Sequence, residues 1–390
     1  MPSLYPLVRL DTDELPSGPW IFGRSVARPS DMPEDGAIVE VEDRTGRFVG
    51  HALFNSRSDI RLRLLSRGKR SDLRQIREFL LRHIASADRL RKKTLRLHER
   101  TDAWRVVHAE GDDLSGLVVD KLGGVLVCEY HALGFWRLRR EIESVLAELH
   151  PGLPVHHRVP KSVRSSEDFE PEEEPQAQEL WIQESGLEYP VVPAAGHKTG
   201  WFCDQRENRL LVGRYARGQD VLDVCSNLGG FSLHAARAGA RRVRAVDLDE
   251  EALARAERAA QRNKLAVECV HADGFDFLRA ERARTERPSL VVLDPHKLVT
   301  NKANLEAGLV KYRDFNTLAL EVVRPGGLLF TFSCSGAVDL PTFLGTVFFS
   351  ARRAGREVRL LEVLGAGPDH PQRPDFARSR YLKGAMLAVD

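Results

Sequence analysis

Apolar and polar residues alternate along the first seventy positions. AIVEVED and RFVGHALFN are period-two runs, and Arg44-Thr45-Gly46-Arg47 between them predicts a hairpin. IRLRLLS continues the alternation, with Arg61 and Arg63 on one face and Leu62 and Leu64 on the other. Together these runs predict a small β-barrel over residues 1–70. From Ser71 the period lengthens. Leu73, Ile76, Phe79, Leu80, Leu81 and Ile84 fall near helical spacing, and Ser71 is the expected N-cap. Strands return in WRVVHAE, GLVVDKLG and GVLVCEYHA, with Gly123-Gly124 as a second hairpin signal. A helix over FWRLRREIESVLAELH completes an α+β middle unit over 71–185. Near its end SSEDFEPEEEPQAQE is acidic and poor in apolar residues, which predicts an exposed loop.

Beyond Gly186 the rhythm becomes strand, helix, strand. DVLDVCS, RRVRAVDL, AVECVHA, SLVVLDP and GGLLFTFSC are apolar runs of strand length. EEALARAERAAQRNKL and KANLEAGLVKYRDFNTLALEVV read as helices between them. This alternation predicts an α/β domain over 186–390, a parallel sheet covered by helices with ligands at the carboxyl ends of its strands.

Composition narrows the class. Apolar residues make up 42% of 390, enough for packed cores in two or three domains. No apolar run reaches bilayer length and no signal-peptide core opens the chain, so a cytoplasmic protein is expected. Cys128, Cys203, Cys225, Cys269 and Cys334 are scattered without metal-ligand spacing; free thiols are expected, with no zinc site and no disulfide framework. The net charge of +2 hides a basic window between Arg57 and Arg105, opposed only by Asp59, Asp72, Glu78, Asp88, Glu99 and Asp102. Such a window is either a footprint for nucleic-acid phosphates or a solvated helix face.

Val221 to Phe231 runs from strand through a glycine-bearing turn into a helix, and Gly229 and Gly230 allow a ligand close to the backbone. The turn does not match GxGxxG, which disfavours a dinucleotide. Asp247 ends the next strand, where a carboxylate can accept both ribose hydroxyls of an adenosine. Asp273 and Asp294 follow the next two strands. One such Asp is ordinarily a helix cap. Four acids at successive strand ends, counting Asp223, point to adenosine-type recognition.

These segments carry a family resemblance that runs nearly end to end. FVGHALFNSRSDIRLRLLS resembles a PUA domain, and WRVVHAEGDDLSGLVVDKLGGVLV resembles a middle domain. HKTGWFCDQRENR, LDVCSNLGGFSLHAARAGA, VDLDEEALARAERAAQRNKL, KYRDFNTLALEVVRPGGLLFTFSCSG and YLKG resemble the catalytic domain of bacterial class I 23S rRNA (cytosine-C5) methyltransferases. The resemblance implies a mostly parallel seven-stranded, Rossmann-like sheet that uses S-adenosyl-L-methionine. It implies large-subunit ribosomal RNA as substrate and a homodimer as a possible assembly. By position, Asp223 and the turn Ser226, Asn227, Gly229, Gly230 and Phe231 are expected on the methionine side, Asp247 at the ribose and Asp273 at the adenine. HKTGWFCDQR is expected as a strand and turn over the cofactor, with Lys198, Gln205 and Arg206 as site residues.

C5 of cytosine is a poor nucleophile unless a thiolate adds at C6, and Cys334 in Thr331-Phe332-Ser333-Cys334-Ser335 has the family's nucleophile position. The competing reading is an inert buried cysteine. Asp294 is expected on the amino and N3 edge of the base. Where the family has Asp-Pro-Pro-Lys, this chain has Asp294-Pro295-His296-Lys297. His296 is a neutral surface exchange, a new acid/base or hydrogen-bonding group, or the mark of an altered substrate; with Cys334 and Asp294, His296 and Lys297 are the catalytic candidates. Two other functions stay open: methylation of a base nitrogen, and an inactive RNA-binding or assembly factor.

Overall fold

The computed structural model describes residues 4–28, 31–171, 178–194, 199–299 and 303–390. The chain divides into two compact units. One comprises Met1–Leu180, Val192–Phe202 and Pro368–Ser379; the other comprises Trp181–Val191, Cys203–Gly367 and Arg380–Asp390.

In the first unit, β1 (Leu7–Arg9), β2 (Trp20–Ile21), β3 (Ile38–Glu42), β4 (Phe48–Phe54) and β5 (Leu62–Ser66) form a sheet in the order β1-β3-β4-β5-β2. The Arg44–Arg47 turn closes the antiparallel β3–β4 pair, and Asp43 holds it by accepting from the Thr45 and Arg47 amides. Helix α1 (Ile76–Arg89) starts later than its apolar period predicts. Gln75 is its N-cap, and Ser71 lies in a 3-10 turn over Arg70–Leu73. The apolar spacing registers that short turn as helix, since periods of 3.0 and 3.6 differ little over one turn.

Beside α1 lies the sheet β6 (Ala103–His108), β7 (Leu117–Leu122), β8 (Val125–Tyr130) and β9 (Val155–Arg158), in sequence order. The β7–β8 pair turns at Gly123-Gly124. The helix expected after it is broken at Leu138 into α2 (Leu133–Arg137) and α3 (Arg139–Leu149), and α4 (Lys161–Glu167) follows β9. The acidic loop lies outside the described residues over 172–177.

Three cations of the basic window are structural. Arg63 is only 7% exposed and meets Glu167 at 3.1 Å, so β5 does not present a solvated basic face. Glu167 also accepts from Asn55, Ser58 and the Leu133 amide. Arg91 makes a two-pronged pair with Asp112, and Arg105 another with Asp120. Strand alternation misplaces Arg63 because both faces of β5 are covered. Arg67, Lys69, Arg74, Arg82, Arg89 and Lys93 remain exposed.

The second unit begins with the hairpin β10 (Leu180–Glu184) and β11 (Leu187–Val191), followed by α5 (Arg206–Ala216). Then come β12 (Asp220–Val224), α6 (Gly230–Arg237), β13 (Arg242–Asp247), α7 (Glu250–Arg262), β14 (Glu268–His271) and α8 (Gly274–Glu281). β15 (Leu290–Leu293), α9 (Leu305–Val322), β16 (Gly327–Ser333), α10 (Leu340–Arg353), β17 (Val358–Gly365) and β18 (Lys383–Val389) complete it. The seven-stranded sheet has the order β14-β13-β12-β15-β16-β18-β17, parallel except for β18, which is antiparallel to both neighbours.

β15 shows why these strands read as unbroken apolar runs. Val291 and Leu293 enter the core on one face of the sheet, and Leu290 and Val292 enter the core on the other. Helix starts are set by carboxylates: Asp249 caps α7 through the Ala252 amide, and Asp339 caps α10 through Thr342. The order reverses between β12 and β15, which opens a crevice at their carboxyl ends.

Candidate active site

Register fixes what lies along that edge. Val224 is level with Val246 on one side and Leu293 on the other, and Leu293 is level with Thr331. The residues that follow these strand ends therefore form one row: Asp273, Asp247, the turn after β12, Asp294 and Cys334. Backbone bonds tie the row together, with the Ser226 amide on Val246 O, the Asp294 amide on Val224 O and the Ala272 amide on Asp247 O. At about 4.8 Å per strand, the end of β13 lies roughly 14 Å from the end of β16.

The turn after β12 is strained. Cys225, Asn227 and Gly229 all have positive φ, at 63°, 49° and 69°. Two of them are not glycine, and such strain persists only where the surroundings enforce it. Asp247 helps to do so by accepting the Asn227 amide at 2.7 Å. Gly230 has no room for a side chain, since a Cβ would lie 2.7 Å from the Arg209 stem. Phe231 packs inward and stacks on Phe332 at 5.5 Å.

Asp223 is fully buried. Its Oδ2 accepts from the Ser232 amide and hydroxyl, at 3.1 and 2.7 Å, while Oδ1 and the neighbouring Ser226 Oγ are buried without a partner. Burial, with help from Asp294 and Asp247, pushes the Asp223 carboxyl up to about 7. Burial and the fields of Asp247, Asp294, Asp223 and Asp273 likewise raise the Cys225 thiol well above its ordinary value. Four carboxylates thus converge on one turn, beside two unsatisfied polar atoms. That is a site for a cationic, hydrogen-bonding ligand, and a sulfonium amino acid joined to a ribose meets those demands.

Asp273 caps α8 through Oδ1, which accepts from the Phe275 and Asp276 amides. Asp294 is half-buried and accepts from Gln205 Nε2 at 2.9 Å, and Gln205 Oε1 is held by Asn208 Nδ2 at 2.5 Å. Gln205 is therefore brought to the row. Arg206 is fully buried, with its Nε 3.3 Å from Glu184. No strand passes through Thr199–Gln205. The segment is a bend followed by a 3-10 turn over Cys203–Gln205. Lys198 lies outside the described residues. His296 and Lys297 are exposed beyond Asp294.

Cys334 follows β16 and is half-buried, whereas Ser333 and Ser335 on either side are fully buried. Ser333 Oγ donates to the Tyr312 hydroxyl at 2.9 Å, and Ser335 Oγ lies 3.0 Å from the same hydroxyl. Ser335 Oγ also accepts the Val299 amide, which ties this loop to the one bearing Asp294. With both neighbours held against α9, the intervening side chain is turned the other way. Sequence reasoning missed Asn208, Ser232, Tyr312 and Lys383. Lys383 opens a run of buried apolar strand, and a charge in that position was the available signal. All five cysteines are free, and among the described residues no group of His, Cys, Asp and Glu is arranged to hold a metal.

A sheet of this order, with a reversal crevice rimmed by acidic strand ends, defines the class I methyltransferases. Residues 17–67 match the family described as PUA-like domain, and residues 221–302 match the family described as methyltransferase domain. A SAM-dependent methyltransferase structure from Streptococcus mutans superimposes with a TM-score of 0.82 at 19% identity, covering 98% of this chain and 100% of that one. A further structure, described as a methyltransferase complexed with SAH, gives 0.81 at 19% identity over 98% and 99% of the two chains. Ribosomal RNA large subunit methyltransferase I of Tolumonas auensis is 34% identical over 95% of this chain and 94% of its own. The protein of the same name from Shewanella amazonensis is 35% identical over 95% of each. The chain belongs to the ribosomal RNA large subunit methyltransferase I family. Among the described residues no helix is long and apolar enough to cross a membrane.

Proposed function

We propose that this protein methylates C5 of a cytosine in large-subunit ribosomal RNA, with Cys334 as nucleophile. It is an S-adenosyl-L-methionine-dependent methyltransferase. The relatives' shared name supports the RNA substrate, and the observation that carries the finer reading is the placement of Cys334. It is a thiol just past the end of β16, the strand next to the one that precedes Asp294, between two serines whose hydroxyls are anchored below it.

Bound cofactor supplies an electrophilic methyl group on a sulfonium. Asp223, Ser226 and the 227–230 turn would hold its amino-acid end, Asp247 its ribose, and Asp273 would lie toward the adenine. The target cytosine leaves its stack to reach the row. Asp294, oriented by Gln205, holds the amino and N3 edge; its carboxyl proton passes to N3 as the Cys334 thiolate bonds to C6, and returns to it when the thiolate leaves. C5, now enamine-like, is the nucleophile such a methyl group requires; its new bond to the methyl carbon would form as the methyl–sulfur bond breaks, leaving a neutral thioether. A base removes the C5 proton, the C5–C6 double bond re-forms, and the C6–S bond breaks to release Cys334.

Residues 1–70 form the PUA-like unit of this reading, 71–185 the middle domain and 186–390 the catalytic domain. Exposed cations on and around α1 supply phosphate contacts. A second copy of the chain as partner belongs to the same proposal; Leu361 and Val363, exposed on edge strand β17, support it, and sedimentation tests it. Methyl transfer to RNA by wild type and Cys334→Ala, with the modified nucleoside identified, tests the whole reading.

A further inference from the structure

Lys383 opens β18 directly opposite Ser333, so it reaches the active edge from the antiparallel strand. The side chain is almost wholly buried, at 3% exposed. Its Nζ donates to Ser335 O at 2.6 Å and to Tyr381 O at 2.8 Å. No described carboxylate pairs with it. An amine buried on two carbonyls, one of them a single residue past the thiol, is costly to charge and placed where charge has a use.

We propose that Lys383 ionises Cys334. This rests on the reading of Cys334 as nucleophile. The Sγ–H proton passes to the Nζ lone pair, sulfur keeps the bonding electrons, and the new ammonium holds the thiolate until it adds to C6. No further reagent is consumed. The two carbonyls suit both states: a neutral amine gives them its two N–H groups and turns its lone pair away, and the ammonium has a third N–H to donate.

The charged neighbours act in opposite directions. Burial pushes the Lys383 ammonium down to about 8; Cys334 and Asp339 at the start of α10 resist that, and Lys297 after β15 adds to it. Tyr312, from α9, places a hydroxyl under the same loop. An ordinary thiol titrates near 8.5, so transfer between the two groups is close to balanced. Lys297 adds a second positive charge that favours the thiolate.

Alkylation by iodoacetamide, followed on the Cys334 peptide by mass spectrometry from pH 5 to 10, tests this on the full chain. Wild-type Cys334 is expected to react with a midpoint below that of an ordinary thiol. In Lys383→Met the midpoint rises by about one unit or more, and alkylation at pH 7 slows about tenfold. Lys383→Arg, which keeps the charge, holds the midpoint at or below wild type. Calorimetric cofactor binding verifies that each variant is folded. An unshifted midpoint in a cofactor-binding Lys383→Met overturns the proposal, as does a wild-type midpoint at or above the ordinary value. Should Lys383→Met fail to bind cofactor, a raised midpoint in Lys383→Arg overturns it equally. Failure of the nucleophile reading is a separate result: Cys334→Ala would still methylate RNA, whatever the alkylation midpoints.

Discussion

Gln205 donates to Asp294, Nε2 to Oδ2 at 2.9 Å, and joins the segment before α5 to the end of β15. Asn208 fixes the amide from behind, so the carboxylate is held by a chain of two side chains. Asp294→Asn keeps the shape of this chain and removes its charge. We expect methyl transfer to fall by about 10²–10³-fold with cofactor affinity changed little, as single-turnover rates and calorimetry would show. Gln205→Leu is expected to cost less, roughly tenfold, because it loosens the carboxylate without removing it. Equal losses in affinity and rate would place Asp294 on the cofactor instead.

Asp223 gives the site a pH dependence with a definite sign. Its folded-state value of about 7 stands above the ordinary 3.8, so the native protein holds the extra proton between them. Stability of the ligand-free protein therefore declines as pH rises from 4 to 7, by an amount on the order of a few kcal/mol. A cationic ligand reverses the preference. Cofactor affinity should weaken as pH falls from 7 to 5, by up to about tenfold per unit. Asp223→Asn should flatten both trends, and denaturant melts with calorimetry across that range check them. Affinity independent of pH in wild type would remove Asp223 from the ligand.

Arg63 and Arg82 should separate stability from RNA binding. Arg63→Ala strands Glu167 in the interior, which costs about 3–5 kcal/mol, read by denaturant midpoint. Arg82→Ala with Arg89→Ala removes two exposed charges of α1. It should leave stability within about 1 kcal/mol and lower the salt slope of RNA binding by roughly 0.7–0.9 per charge. An unchanged slope would mean that this helix face is merely solvated.

His296 is exposed where relatives of this pattern are expected to carry proline. An exposed exchange of this kind should be nearly neutral, so His296→Pro and His296→Ala are each expected to keep single-turnover rates within about two-fold of wild type. A larger fall in rate with cofactor affinity intact would make the imidazole a proton-transfer group.

Parallel strands with both faces buried announce themselves as apolar runs, and the carboxylates ending β13 and β15 stood out for that reason. The β17–β18 pair did not. β17 carries exposed Leu360, Leu361 and Val363, and β18 is inserted antiparallel between β16 and β17, a pairing across some fifty residues that no local pattern encodes. Charge patterning failed too: the partner of Arg63 lies 104 residues on, and those of Arg91 and Arg105, 21 and 15 residues on, are still beyond any helix or strand period. The Cys334 position was legible as a strand end between polar residues, whereas the Tyr312 hydroxyl beneath those serines comes from the preceding helix, 21 residues before Ser333, and Lys383 lies 48 residues past Ser335, separations that no local pattern encodes.

The most direct measurement combines purified protein, methyl-labelled S-adenosyl-L-methionine and large-subunit RNA lacking the modification, followed by digestion and identification of the labelled nucleoside. The account predicts label in 5-methylcytidine with wild type and none with Cys334→Ala, although the variant still binds cofactor. Label in any other nucleoside, or undiminished 5-methylcytidine with Cys334→Ala, would contradict it.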